Sequence, residues 1–290
     1  MWKNKLINQW NLFWLVSGVV SLAMILAMVA SDLSSGDSLS ALIQLSVQCA
    51  VPLLYLTFAA SSLQIVYASN FSRWLLKNRK YIGLCFAAAM AWQLLFILWM
   101  VLLYRDYYVG EVYVLRDTIE GVGGYILLIA MIITSFKFTR KHMSTKSWRL
   151  LHKTGIYFLW AYAFSVYWWA LFFYGDAQVI DYIFYLGGFV AWALRAGAWA
   201  KRNKPKVVQP IFRSLGFLII GFGLAAATLG KLWQPASEQI LHGYSFTRIP
   251  ELVMPYWPFE PFLPLLIIGF GVYLLSREGD VVQKEITIPG

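Results

Sequence analysis

His152 stands in the segment Trp148-Arg149-Leu150-Leu151-His152-Lys153, which opens an aromatic-rich apolar stretch running to Trp169. A histidine flanked by Arg149 and Lys153 could do two kinds of chemistry. Its imidazole could ligate iron or contact a quinone. The cations could take an anionic group: haem propionates, a flavin phosphate or a lipid headgroup. Basic residues at such a place are also what a cytoplasmic loop of any membrane protein carries. The residues alone leave these alternatives open. Haem held between helices usually needs two histidines at similar depth on different helices. The chain has three histidines in all. His142 falls in a basic loop, His242 in a loop on the other side, and only His152 borders the apolar core. Counting and placement therefore exclude bis-His haem within a single bundle.

The elements that must position His152 are membrane helices. Hydrophobic residues make up 60% of the chain, charged residues 13%, and the mean hydropathy is +0.61. A soluble domain carries about 25% charge. Eight runs are apolar enough to be membrane spans: about 11–31, 41–66, 81–104, 118–138, 154–174, 180–200, 211–231 and 261–276. Each span must satisfy its own backbone in lipid. The expected fold is therefore all-α, a polytopic membrane bundle of about eight transmembrane helices. The first run follows Lys3 and Lys5 and exceeds the 7–15 residues of a signal core, so it is expected to be an uncleaved helix.

Charge placement gives the orientation. The N-terminal segment, the loops near 67–80, 137–153 and 201–206, the C-terminal tail, and Arg195 and Arg213 at adjoining helix ends carry 20 of the 24 Lys and Arg. The other side carries Arg105, Arg116, Lys231 and Arg248, together with 11 of the 14 acidic residues. Both termini are thus expected in the cytoplasm, with the chain multi-pass in the inner membrane of a bacterium. The net charge of +10 is topology and anionic-lipid contact, not nucleic-acid affinity. Cys49 and Cys85 fall near opposite ends of their helices, so no disulfide is expected.

Three regions follow: six helices in 1–200, a basic linker at 201–210, and a two-helix hairpin with a short cytoplasmic tail in 211–290. No region has room for a flavin or nicotinamide domain. The hairpin's 232–260 loop is rich in Pro, Tyr and Trp. A loop lying on the bilayer and a docking surface for a membrane or periplasmic partner both fit it. Gly221 with Ala225, and Gly223 with Ala227, are expected to form small-residue packing faces, as are Gly121, Gly123 and Gly124.

Several segments, in order, resemble a known family. They are Leu56-Thr57-Phe58-Ala59-Ala60-Ser61-Ser62-Leu63, the basic run Trp74 to Leu84 with its helix start, Gly123-Gly124-Tyr125 followed by Thr134-Ser135, and Trp148 to Lys153. Together, residues from about 50 to 175 resemble the ferric reductase-like transmembrane domain. That group includes the haem-binding membrane subunit of the bacterial methionine sulfoxide reductase system. The resemblance implies a transmembrane electron-transfer subunit carrying haem b and served by a separate cytoplasmic reductase. It also implies a role for His152 as a retained site residue.

The departures from the family pattern fall on the haem ligands. Gln93 and Ser165 stand where the family has a facing histidine pair, and Met90 where some members have a further histidine. Both would lie roughly 18 Å from the cytoplasmic helix end at 1.5 Å per residue. A hydrogen bond between Gln93 and Ser165 across the helices is one expected replacement, worth about 1 kcal/mol. The reading is of lost or reduced haem binding, with quinone or flavin as other candidate cofactors. The alternative is a non-catalytic structural or assembly subunit on the same fold.

Overall fold

The computed structural model describes residues 5–171, 177–203, 210–229 and 262–276. The 232–260 loop, His242, most of the basic linker and the C-terminal tail lie outside them. Eight long helices run through the described residues, and no strand occurs among them. They are α1 (Gln9–Ala30), α2 (Gly36–Val66), α3 (Asn70–Leu103), α4 (Leu115–Ile133), α5 (Thr145–Trp169), α6 (Val179–Arg202), α7 (Pro210–Thr228) and α8 (Phe262–Leu275). By length and composition, α1, α2, α3, α6 and α7 are able to cross a membrane. Arg116, Asp117 and Glu120 dilute α4, a run of basic residues dilutes α5, and α8 has only 14 residues.

Two helices begin well before their apolar runs. Ser69 and Ser72 form a capping box that starts α3 at Asn70, eleven residues ahead of the apolar stretch. Ser144 accepts from the Ser147 N–H at 3.0 Å and starts α5 at Thr145. The basic run Trp74 to Leu84 is therefore helix interior, not a turn before a helix start. Gln93 lies about 34 Å along α3 and Ser165 about 30 Å along α5. The depth of 18 Å holds only from where the apolar sequence begins.

In lipid, apolar packing gains no transfer free energy, so polar bonds and close fits must fix the helices. α1, α2 and α3 are pinned in this way at both ends. Asn78, fully buried in α3, accepts from the Gln9 N–H at 2.8 Å and donates to Asn8 Oδ1 at 3.0 Å. Trp74 donates to the Ile7 carbonyl at 2.8 Å. These bonds serve the orphan N-terminal groups of α1. Partway along, Trp92 donates to Ser21 Oγ at 3.0 Å. At the far end, Tyr104 donates to the Leu33 carbonyl and Tyr107 to Asp37 Oδ1. The Asp37 carboxylate holds the Tyr107 phenol above its usual range by accepting that bond. Gly36 is needed here, because a Cβ would sit 2.5 Å from the Tyr107 ring. In the α1–α2 loop, Asp32 accepts from the hydroxyl and N–H of Ser34, which holds its carboxyl below the usual range. Between the pins lie two apolar cores. Met24, Leu39, Leu42, Phe96 and Met100 form one, and Leu12, Ala60, Leu75 and Ile82 the other.

The described residues divide into two compact units, one up to Trp192 and one from Ala193. The division falls inside α6, ahead of the 201–210 linker. In the second unit Ala198 is buried and Trp199 stacks on Tyr273 of α8. There α7 and α8 touch backbone to backbone. A Cβ on Gly216 would lie 3.0 Å from the Gly271 carbonyl oxygen, and one on Gly271 2.8 Å from that of Gly216. Gly223 packs as tightly on Ile268, and Ala227 is buried. Among the described residues nothing approaches a Cβ on Gly221 within 4 Å, and the close approach to α8 involves Gly216 and Gly223. Gly123 and Gly124 pack on Phe158 and Leu159 of α5 at ordinary van der Waals distance. Cys49 and Cys85 are both free thiols.

Asn78→Leu should lower stability by about 1–3 kcal/mol, because it strands a buried N–H and an amide oxygen. Trp92→Phe should cost about 0.6 kcal/mol, the usual worth of one interhelical bond in lipid. Thermal midpoints in detergent would give the order of the two.

Candidate functional site

The Trp148-x-x-x-His152 pair lies one helical turn apart on α5, so both rings meet the same neighbour. That neighbour is the C-terminus of α4. Trp148 donates from Nε1 to the Thr134 carbonyl at 3.0 Å. His152 Nε2 lies 3.0 Å from Thr134 Oγ1. The Thr134 hydroxyl donates at 2.7 Å to the Ala130 carbonyl, so it accepts from an Nε2–H tautomer of His152. The two α5 rings themselves lie 4.4 Å apart. Arg140 lies over the Trp148 ring at 5.1 Å and is held by the Met143 carbonyl and Thr145 Oγ1. Lys80 of α3 donates to the Ser135 carbonyl at 2.7 Å and lies over the Phe136 ring. The end of α4 is thus clasped from both α3 and α5, and its orphan carbonyls are served by side chains.

His152 is half-buried, whereas Arg149 and Lys153 are exposed. The guanidinium groups that act on His152 electrostatically are those of Arg79 and Arg140. Arg79 Nε donates to the Thr57 carbonyl of α2 at 3.0 Å. The surroundings of His152 therefore include Thr134, Trp148, Arg79 and Arg140, whereas Arg149 and Lys153 are exposed. The i, i+4 spacing of Trp148 and His152 was the available signal for a shared neighbour. Nothing in the sequence named Thr134 as that neighbour.

Gln93 and Ser165, expected to face each other, have other partners. Gln93 Oε1 accepts from the Tyr125 hydroxyl of α4 at 2.8 Å, and the same hydroxyl lies 3.1 Å from the Met90 carbonyl. Ser165 Oγ donates to the Tyr162 carbonyl of its own helix at 2.8 Å. The expected Gln93–Ser165 bond is thus replaced by two separate ones. A serine satisfies itself within its own helix at no assembly cost. The longer Gln93 reaches a neighbouring tyrosine instead.

Aromatic rings fill the space between α2, α5 and α6. Phe58, Trp160, Phe164 and Tyr185 stack in sequence, with centroids 5.2, 5.3 and 5.1 Å apart. All four are buried. Trp160 Nε1 donates to the Gly188 carbonyl at 3.0 Å, and Gly188 has no room for a Cβ between Tyr55 and Phe164. Stacked pairs of this kind contribute about 0.5–1.5 kcal/mol each beyond area burial.

These residues do not fit haem. Gln93 is bonded to Tyr125, Ser165 to its own backbone, and rings pack the helix that carries Ser165. Among the described residues no cluster of three His, Cys, Asp or Glu assembles that could hold a metal ion. No family model, curated protein or solved structure matches the chain.

His152→Ala and Trp148→Phe should each lower stability by about 1 kcal/mol through the loss of one clasp bond. Arg149→Ala and Lys153→Ala should stay within about 0.5 kcal/mol of the parent protein. Equal losses in all four would show that the basic face shares the work of the clasp.

Proposed function

We propose that this chain is a non-catalytic structural or assembly subunit of a membrane complex, built on a ferric reductase-like fold whose haem pair has been replaced. The single observation behind this reading is the Tyr125–Gln93 hydrogen bond at 2.8 Å. A position that would coordinate iron now joins α3 to α4. The stacked rings beside Ser165 and the use of His152 as a helix clasp support the same reading. In this reading eight helices cross the inner membrane of a bacterium, with both termini cytoplasmic. Arg149, Lys153 and Lys146 meet anionic headgroups. The 232–260 loop is the surface offered to a partner on the other face.

Protein purified from haem-replete cells should show no stoichiometric Soret band, oxidised or dithionite-reduced. A band near one haem per chain that shifts on reduction and weakens in His152→Ala would overturn the reading in favour of electron transfer. Extraction of a stoichiometric quinone or flavin would overturn it as well.

A further inference from the structure

A cavity of about 300 Å³ opens between the first half of α2, the end of α5 and the start of α6. Its lining residues include Gln44, Gln48, Tyr167, Gln178 and Asp181, with Val47, Val166 and Ala170 as an apolar wall. Its volume is at the lower end for small-ligand sites.

Three features of the lining are acceptors. Asp181 is buried, only 8% exposed. One of its oxygens, Oδ2, accepts from the Gln178 N–H at 2.9 Å and caps α6. Among the described residues no Lys, Arg or His pairs with it. A carboxylate on the wall of the cavity with no cation beside it among the described residues favours a ligand that bears positive charge and N–H donors. The second acceptor is the Gln48 carbonyl. Pro52, one turn on in α2, has no N–H to give it. The third is the set of amide oxygens on Gln44, Gln48 and Gln178. The Tyr167 ring adds a π-face.

The polar lining also continues inward. Gln44, Gln48 and Tyr55 share one face of α2, within about 40° of each other at 100° per residue. The Tyr55 hydroxyl is buried and has no hydrogen-bond partner.

We propose that this cavity binds a primary ammonium group, with the Asp181 carboxylate as counter-ion and the Gln48 carbonyl as an N–H acceptor. A quaternary ammonium satisfies the charge but offers no N–H, so the site discriminates against it. The group could belong to a free amine or to a phosphatidylethanolamine headgroup. The proposal is independent of any redox role.

The test uses the full chain in detergent, titrated with ethylammonium chloride and followed by tryptophan fluorescence, since Trp168 and Trp169 adjoin the lining. Tetramethylammonium chloride at equal ionic strength is the control. In parallel, the protein is reconstituted in nanodiscs of phosphatidylethanolamine or of phosphatidylcholine, and its thermal midpoint is read. Saturable ethylammonium binding, at least tenfold weaker for tetramethylammonium and in Asp181→Asn, supports the proposal with a free amine as ligand. A higher midpoint in phosphatidylethanolamine that Asp181→Asn abolishes supports it with a lipid as ligand. Asp181→Asn keeps the cap acceptor, so folding should survive. Pro52→Ala, which gives the Gln48 carbonyl a helix N–H to accept from, is the second variant should it not, and weaker binding is expected. Binding equal for both cations, binding untouched by either variant, or no binding in either arm would overturn it.

Discussion

In a bilayer the lipid tails are as apolar as the helices, so a helix gains little by exchanging one for the other. Arrangement then rests on the few polar groups that cannot be left in lipid and on places where backbones come very close. This constraint organises the chain. Asn78 serves the start of α1, Tyr104 and Tyr107 hold the α1–α2 loop, and Thr134 is clasped by α5. Glycines bring α7 and α8 into backbone contact. The apolar side chains between these points fill space, and many on the outward faces remain exposed, as lipid contact requires.

The same constraint explains the partners of Gln93, Ser165 and His152. A polar residue deep in a bundle must find a partner. Gln93 found a tyrosine and Ser165 its own helix. His152 gives its Nε2–H to Thr134 and lies beside Trp148. Each of these bonds ties a polar side chain into the bundle.

Much of the architecture could be read in the sequence because apolar runs announce helices directly. Each of the eight runs contains a helix. The helix starts were harder, since α3 and α5 extend through basic segments that lower hydropathy but propagate helix well. Serine caps at Ser69 and Ser144 were visible but lay outside the apolar windows. The site was less legible. Residue type shows that Gln93 and Ser165 are poor ligands, but not that Tyr125 reaches Gln93. Small-residue spacing marked Gly221 and Gly223 alike, and only packing separates the open position from the tight one. The cavity beside Asp181 draws on three helices, and no local pattern joins Gln48 to it.

The spacing of these bonds along the chain also sets the order in which they can form during synthesis. The clasp on Thr134 links residues 14 and 18 apart, so α4 and α5 can close it as a newly made pair. The bonds that hold α1 reach 67 to 72 residues ahead, all to α3. Until the third helix has entered the membrane, the first has no fixed seat. Insertion of α1 therefore leaves it a free-turning anchor, and its place is decided two helices later.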